Sequence, residues 1–222
     1  MQVKHQNKLW LVILSPIILI ILGNITAHFF SDLLGKWAWA GYFIIYWGLI
    51  LALAVGLGEK GNINHWFRKY QGSKWWLVLA IGIGLSAFPS LLFPNFKLLH
   101  SIPLLLLLCG FAFVNSIFEE IYWRGFLLDE TKQLPRAFGV AYSTIFFTTI
   151  HPLNLGVFSK IQAFNPSHAL ALLPFIIILI LLSIVYCLLY IKTKSLVLPV
   201  ISHTLTDIGN LSIFLFMNMV IF

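Results

Sequence analysis

An all-α, polytopic bundle of transmembrane helices is the fold that this sequence predicts, and three observations predict it. Hydrophobic residues fill 60% of the 222 positions and charged residues only 9%, against ~25% charged in soluble domains. Mean hydropathy is +0.94. Seven apolar stretches, near 9–30, 37–57, 75–93, 101–128, 136–151, 169–191 and 196–222, reach or approach the ~20 residues that a helix needs to cross a ~30 Å hydrocarbon core. The count is seven helices, or eight if the last stretch breaks near Gly209 and Asn210. They form a single integral membrane domain over 1–222, with the helices that carry chemistry in 101–222.

Taken in order, the first stretch follows Lys4 and Lys8, and its apolar run Leu9 to Leu22 has the outline of a secretory signal. No small-x-small cleavage site follows cleanly, and Asn24, His28 and Asp32 come next, so it reads as a retained span. Between the second and third spans, the segment Gly61 to Lys74 holds Trp66, Phe67 and Tyr70 among basic residues, with Trp75 behind it. It reads either as an interfacial segment with rings at headgroup depth or as an ordinary basic loop. Pro103, Pro174 and Pro199 fall near the starts of the fourth, sixth and seventh spans, where proline is tolerated. There is no internal repeat, low-complexity tail or soluble domain.

The formal charge of +7 does not point to nucleic acid, because Lys and Arg cluster between apolar stretches instead of lining one amphipathic face. With the N-terminus cytoplasmic, inner segments hold Lys4, Lys8, Lys60, Arg68, Lys69, Lys74, Lys132, Arg136, Lys192 and Lys194, and outer ones hold Lys36, Lys97 and Lys160. Ten against three predicts that orientation, in an integral protein of the plasma membrane with the bilayer as a partner. Cys109 and Cys187 each lie inside an apolar run, which supports neither a disulfide framework nor a cysteine-based zinc site.

Ionisable residues at membrane depth cost at least ~2.5 kcal/mol and are rare unless paired or functional. Here they concentrate late in the chain: Glu119, Glu120 and Arg124 in the fourth span, His151 ending the fifth, and His203 with Asp207 in the seventh. Glu120 and Arg124 are four apart and meet on one helical face, while Glu119 is turned ~100° away and can point into a different space. A carboxylate in a low-dielectric cavity suits a general base, and imidazoles are its natural companions. Phe147 and His151 lie one turn apart, as do His203 and Asp207, so an aromatic ring and a carboxylate can each steady one imidazole. Taken singly, each feature has a plainer explanation: a Glu–Arg pair is more often architectural, and a His at a helix end is more often an interfacial hydrogen-bonding group. His5, His28, His65, His100 and His168 lie in loops or at ends and receive no role.

The set Glu119-Glu120-x-x-x-Arg124 followed by Gly125-Phe126-Leu127, then Phe147-x-x-x-His151, then His203-x-x-x-Asp207 resembles the CAAX-protease and bacteriocin-processing family of intramembrane proteases, which includes the Ras-converting CAAX endopeptidases. The resemblance covers 119–207. It implies a helical membrane enzyme with a cavity open toward the cytoplasm, in which Glu119 and His151 activate water, His203 and Asp207 stabilise the oxyanion, and Glu120, Arg124 and Phe147 support the site. It also implies that no cofactor is required. Many members carry Asn where this chain has Asp207; a carboxylate donates to an oxyanion only when protonated, so Asp207 can instead accept the N–H of His203.

Depth is a partial check: Glu119 and His203 both lie ~13 Å from the basic end of their helices, but His151, some 15 residues beyond Arg136, lies ~9 Å deeper. An interfacial turn around Pro135 to Gly139, or a tilted helix, would reconcile them. A zinc ion held by two His and two carboxylates is the alternative to metal-free chemistry. A non-catalytic bacteriocin-immunity or sensor scaffold, or a proton-coupled transporter, is the alternative to an enzyme. Signatures of other intramembrane proteases, His-Glu-x-x-His, Gly-x-Gly-Asp and Gly-x-Ser-x-Gly, do not occur.

Overall fold

The computed structural model describes residues 2–59, 62–98, 101–158 and 169–219, with side chains between positions 8 and 211 apart from 62, 95, 98, 169 and 171. Lys60, His100, Lys160 and His168 lie outside the described residues, as do the side chains of Lys4 and His5.

Among the described residues every element is helical. Helix α1 (Gln2–Leu34) and helix α2 (Ala38–Leu57) pack together through a tight turn at Gly35–Trp37, where Gly35 takes a φ of 52°, a conformation with no steric cost for glycine. A short α3 (Asn62–Trp66) precedes α4 (Lys74–Leu85), which runs into a π-helical turn at Phe88–Leu92. Helix α5 (Ile102–Glu120) starts at a Ser101 cap with Pro103 in its first turn, and a π-helical turn, Ile121–Phe126, carries it on to Leu127–Glu130. Helix α6 (Arg136–Ile150) ends in another such turn, His151–Leu155, and α7 (Ala169–Thr193) and α8 (Val197–Met219) complete the bundle.

The seven long helices are the seven expected from hydropathy. Helix α8 runs unbroken through Gly209 and Asn210, so the eighth piece does not form. Among the described residues four stretches are long and apolar enough to cross a membrane: Lys8–Leu57, Lys74–Leu92, Ile102–Glu130 and Leu172–Thr193. The first contains α1 from Lys8 onward and all of α2. Helix α6, at 15 residues, falls short of the ~20 a crossing needs. The outward faces are apolar, with Leu170 and Trp75 largely exposed, as a lipid-facing surface requires.

Alternating direction brings the basic segments to one end of the bundle, where they are stitched together. Lys8 pairs with Glu130 at 2.7 Å and Lys132 with Glu59 at 3.7 Å. Arg68 Nε donates to the Lys194 carbonyl at 2.9 Å, and Ser195 Oγ donates to the Arg68 carbonyl at 2.6 Å. Trp66 corrects the interfacial reading of its segment: its ring is buried against Gly125, and its Nε1 donates to Asp129 at 2.7 Å, so it closes the bundle from below instead of anchoring in headgroups.

Helix α8 packs against α4, α5 and α7, and α7 against α6. Without a hydrophobic force between helices in lipid, close backbone approach carries the packing, and small residues permit it. A Cβ at Gly84 of α4 would stand 2.6 Å from Leu205 Cβ and 2.8 Å from the Ser202 carbonyl of α8, and one at Gly209 would stand 2.6 Å from Ala87 Cβ. Gly84→Leu should therefore force the two helices apart at a cost of ~1–3 kcal/mol. Thermal unfolding in detergent should show a drop of several degrees in Tm; an unchanged Tm would mean that the α4–α8 contact is loose.

Candidate active site

Two π-helical turns lie beside the candidate site residues. A π turn inserts a residue and re-aims the side chains beside it, and one starts directly after Glu120 while another starts at His151 itself. Pro152 has no N–H to give to the Thr148 carbonyl one turn earlier. The imidazole of His151 bonds the carbonyl of Phe147, with Nδ1 and that oxygen 2.7 Å apart. A carbonyl only accepts, so Nδ1 carries the hydrogen and Nε2 of the neutral ring keeps its lone pair. The ring rests on Phe147 at 4.7 Å between centroids.

Glu120 and Arg124 have no exposed surface. Arg124 Nη1 donates to Glu120 Oε1 at 2.9 Å and Nη2 donates to Ser183 Oγ at 2.9 Å, and Ser183 in turn donates to Thr144 at 3.2 Å. The guanidinium is sandwiched between rings, its Cζ 4.4 Å from the Phe147 centroid and 5.2 Å from that of Tyr186. Such cation–π contacts gain strength where water is excluded.

His203 lies between the two glutamates. Its Nδ1 donates to Glu120 Oε1 at 2.7 Å, and its Nε2 stands 3.5 Å from Glu119 Oε2 and 3.5 Å from Asp207 Oδ1. Its ring stacks on Tyr186 at 5.0 Å. Glu119 receives the Tyr46 hydroxyl on Oε1 at 3.1 Å, while its buried Oε2 makes no hydrogen bond among the described residues. Asp207 accepts from Asn115 Nδ2 at 3.1 Å, and Asn115 accepts from Trp47 Nε1 at 3.1 Å.

Glu119, His151, His203, Asp207 and Phe147 line one cavity of ≈ 70 Å³, whereas Glu120 and Arg124 lie behind it. The helical phase that separates the two glutamates in the sequence is thus visible in the fold. Helical phase did not anticipate that His203 touches both, because the ring presents a nitrogen to each. Nor were Tyr46, Asn115 and Ser183 anticipated; their hydrogen bonds join residues 59 to 92 positions apart, and no local pattern marks them. His151 reaches the common cavity although α6 runs as one helix from Arg136 with Pro135 at its cap. The interfacial turn around Pro135 to Gly139 is absent, because the helix already runs from Arg136.

The cavity does not face the basic end. Below Glu119 that side is filled by the buried Tyr122, Trp123, Arg124 and Phe126, and the lining continues the other way, to Leu155, Phe175 and Leu211. Among the described residues no group of three or more His, Cys, Asp or Glu is arranged to hold a metal ion.

Residues 100–209 match the family model described as Type II CAAX prenyl endopeptidase Rce1-like, a range that holds Glu119, Glu120, Arg124, Phe147, His151, His203 and Asp207 but not Tyr46, Trp47 or Leu211. No curated protein and no solved structure matches the chain.

Two outcomes follow from this geometry. Arg124→Ala leaves the buried Glu120 with His203 Nδ1 as its one remaining partner among the described residues and should destabilise the fold by ~3–5 kcal/mol, read as lost yield and a lower Tm; a normally expressed variant with unchanged Tm would show the Glu120–Arg124 pair to be dispensable. In a background with Cys109 and Cys187 replaced by Ser, cysteines at Leu155 and at Lys132 should react with an impermeant maleimide from opposite sides of the membrane. Labelling of both from one side would refute the direction of the cavity.

Proposed function

Because the chain belongs, through residues 100–209, to the Rce1-like type II CAAX prenyl endopeptidase family, we propose that it is an intramembrane endopeptidase of the glutamate type, in which Glu119 and His151 activate the water that hydrolyses a peptide bond. The family makes it a peptide hydrolase of the membrane. The observation that carries the finer reading is Glu119: it lines the cavity with His151 and His203, one oxygen is tied to Tyr46, and the other, without a hydrogen bond among the described residues, stands 3.5 Å from His203 Nε2.

In this reading the water oxygen attacks the scissile carbonyl carbon as one proton passes to Glu119 Oε2, while the lone pair of His151 Nε2 orients the other hydrogen. The carbonyl π electrons move to the oxygen, and a protonated His203 Nε2 stabilises that oxyanion. Collapse re-forms the carbonyl and breaks the C–N bond. The proton held by Glu119 goes to the departing amine, and the new carboxylic acid ionises. Glu120 orients the His203 ring by accepting from Nδ1, and Arg124 holds Glu120 in place. Asp207, 3.5 Å from His203 Nε2, acts as an acceptor that orients the ring, in keeping with its own bond from Asn115.

The substrate is a membrane-associated peptide or protein, and the prenylated CAAX terminus named in the family description is one chemical form of it. The chemistry is metal-independent, and the chain sits in the plasma membrane with its basic end cytoplasmic. Membrane peptides from cells with wild-type protein and cells with Glu119→Gln, compared by mass spectrometry, should differ by a cleavage product. A quenched peptide built on that site should be cut by purified protein in the presence of a chelator. Glu119→Gln should lower the rate by roughly 10²-fold or more with little change in Tm, as loss of a general base does. Glu120→Gln, which loosens both Arg124 and His203, should cost both activity and stability. Identical peptide profiles, or full cleavage by Glu119→Gln, would return the protein to the scaffold or transporter reading.

A further inference from the structure

Two donors that hold the carboxylates of the site come from α2, outside residues 100–209. The Tyr46 hydroxyl has one hydrogen, which it gives to Glu119 Oε1 at 3.1 Å while accepting from Trp123 Nε1 at 3.4 Å. Its neighbour Trp47 donates to Asn115 at 3.1 Å, and the amide of Asn115 donates to Asp207 Oδ2 at 3.1 Å. One turn earlier Tyr42 stacks on Tyr46, with centroids 5.5 Å apart and planes 13° apart, and accepts from Asn154 at 3.1 Å, three residues beyond His151. Consecutive residues of one helix thus reach both cavity carboxylates, and the same helix is tied to the turn that bears His151.

Resting on the assignment of Glu119 as the base, we propose that Tyr46 and Trp47 are positioning residues for the hydrolysis. Tyr46 decides which carboxylate oxygen of Glu119 meets the water, and Trp47 fixes Asp207, and through it His203, by way of Asn115. A carboxylate without the Tyr46 bond rotates freely about its last torsion, and the populated orientations include ones in which neither oxygen is aimed at the cavity. Chemistry that depends on placement is sensitive to displacements of ~1 Å. Tyr46 bonds Glu119 on Oε1 and not on the Oε2 that takes the proton, and Trp47 acts at one remove through Asn115, so their loss acts on turnover before it acts on substrate binding.

The test uses purified full-length protein in detergent and the quenched peptide built on the cleavage site found by mass spectrometry. Tyr46→Phe keeps the ring stacked on Tyr42 and removes one oxygen. It should lower kcat roughly 10-fold or more, the size expected for a lost hydrogen bond to a charged group, with KM unchanged. Added to Glu119→Gln it should cost nothing further, because the group it positions is gone. Tyr142→Phe removes another tyrosine hydroxyl, one bonded to the Ile13 carbonyl of α1, and should leave kcat unaltered. Trp47→Phe keeps a ring against Phe118, now 5.6 Å from the indole, and should lower kcat by a smaller factor; it carries the test alone if Tyr46→Phe does not fold. Wild-type kcat in either folded variant beside an inactive Glu119→Gln overturns the proposal and leaves the peptidase reading intact. An equal fold-loss from Tyr46→Phe in both backgrounds overturns it as well, since that is the mark of a purely structural role. Full cleavage by Glu119→Gln removes the base assignment, and this proposal falls with it.

Discussion

Arg124 is a guanidinium with no exposed surface inside a bundle whose outer faces are apolar, and its solvation organises what surrounds it. Desolvating a charged group costs several kcal/mol even after relaxation, so every direction from the guanidinium needs a compensating group. Glu120 supplies the opposite charge, Ser183 a hydroxyl, and Phe147 and Tyr186 the two π faces. These same groups then position the imidazoles. Glu120 and Tyr186 hold His203, and Phe147 carries His151 on its ring and its carbonyl. The architectural ion pair and the candidate site are here one set of contacts, so an architectural role for Glu120 and Arg124 also shapes that site.

The site is also divided along the bundle axis. Toward the basic end the interior is closed by large buried side chains, with Trp66 and Trp123 among them, and by hydrogen bonds to Asp129. Away from it, beyond Glu119, lies the small cavity. A dry floor strengthens the electrostatics of the ion pair, while the cavity side is where a water and a peptide bond can be admitted. The family model begins at residue 100, yet α2 contributes the contacts that orient two of the carboxylates. The helices that carry the motif and the helix that aims it are therefore different parts of the chain.

The seven helices, the gathering of basic segments at one end, and the separation of Glu119 from Glu120 were all legible in the sequence. Each depends on a property that a one-dimensional pattern preserves: hydropathy over ~20 residues, the alternation of direction from span to span, and ~100° of rotation per residue. What was misjudged depends on contacts between distant segments. For Trp66 an interfacial segment and an ordinary basic loop were both open, because aromatic and basic neighbours suit either, and neither foresaw that Gly125 leaves room for its ring and Asp129 accepts its N–H. The cavity was expected to face the basic end, but which side is open is decided by how bulky residues of α5 fill the other.

Composition and spacing by themselves determined that this chain is a helical membrane protein and that Glu120 meets Arg124, because both follow from local geometry and from the cost of exposing polar groups to hydrocarbon. Only the tertiary structure decided that His203 joins the two glutamates, that a tyrosine of α2 takes one oxygen of Glu119, and that His151 shares their cavity. Those relations need helices brought side by side in one register, and register is set by summed packing such as the Gly84–Leu205 and Gly209–Ala87 contacts, to which no single stretch of sequence gives access.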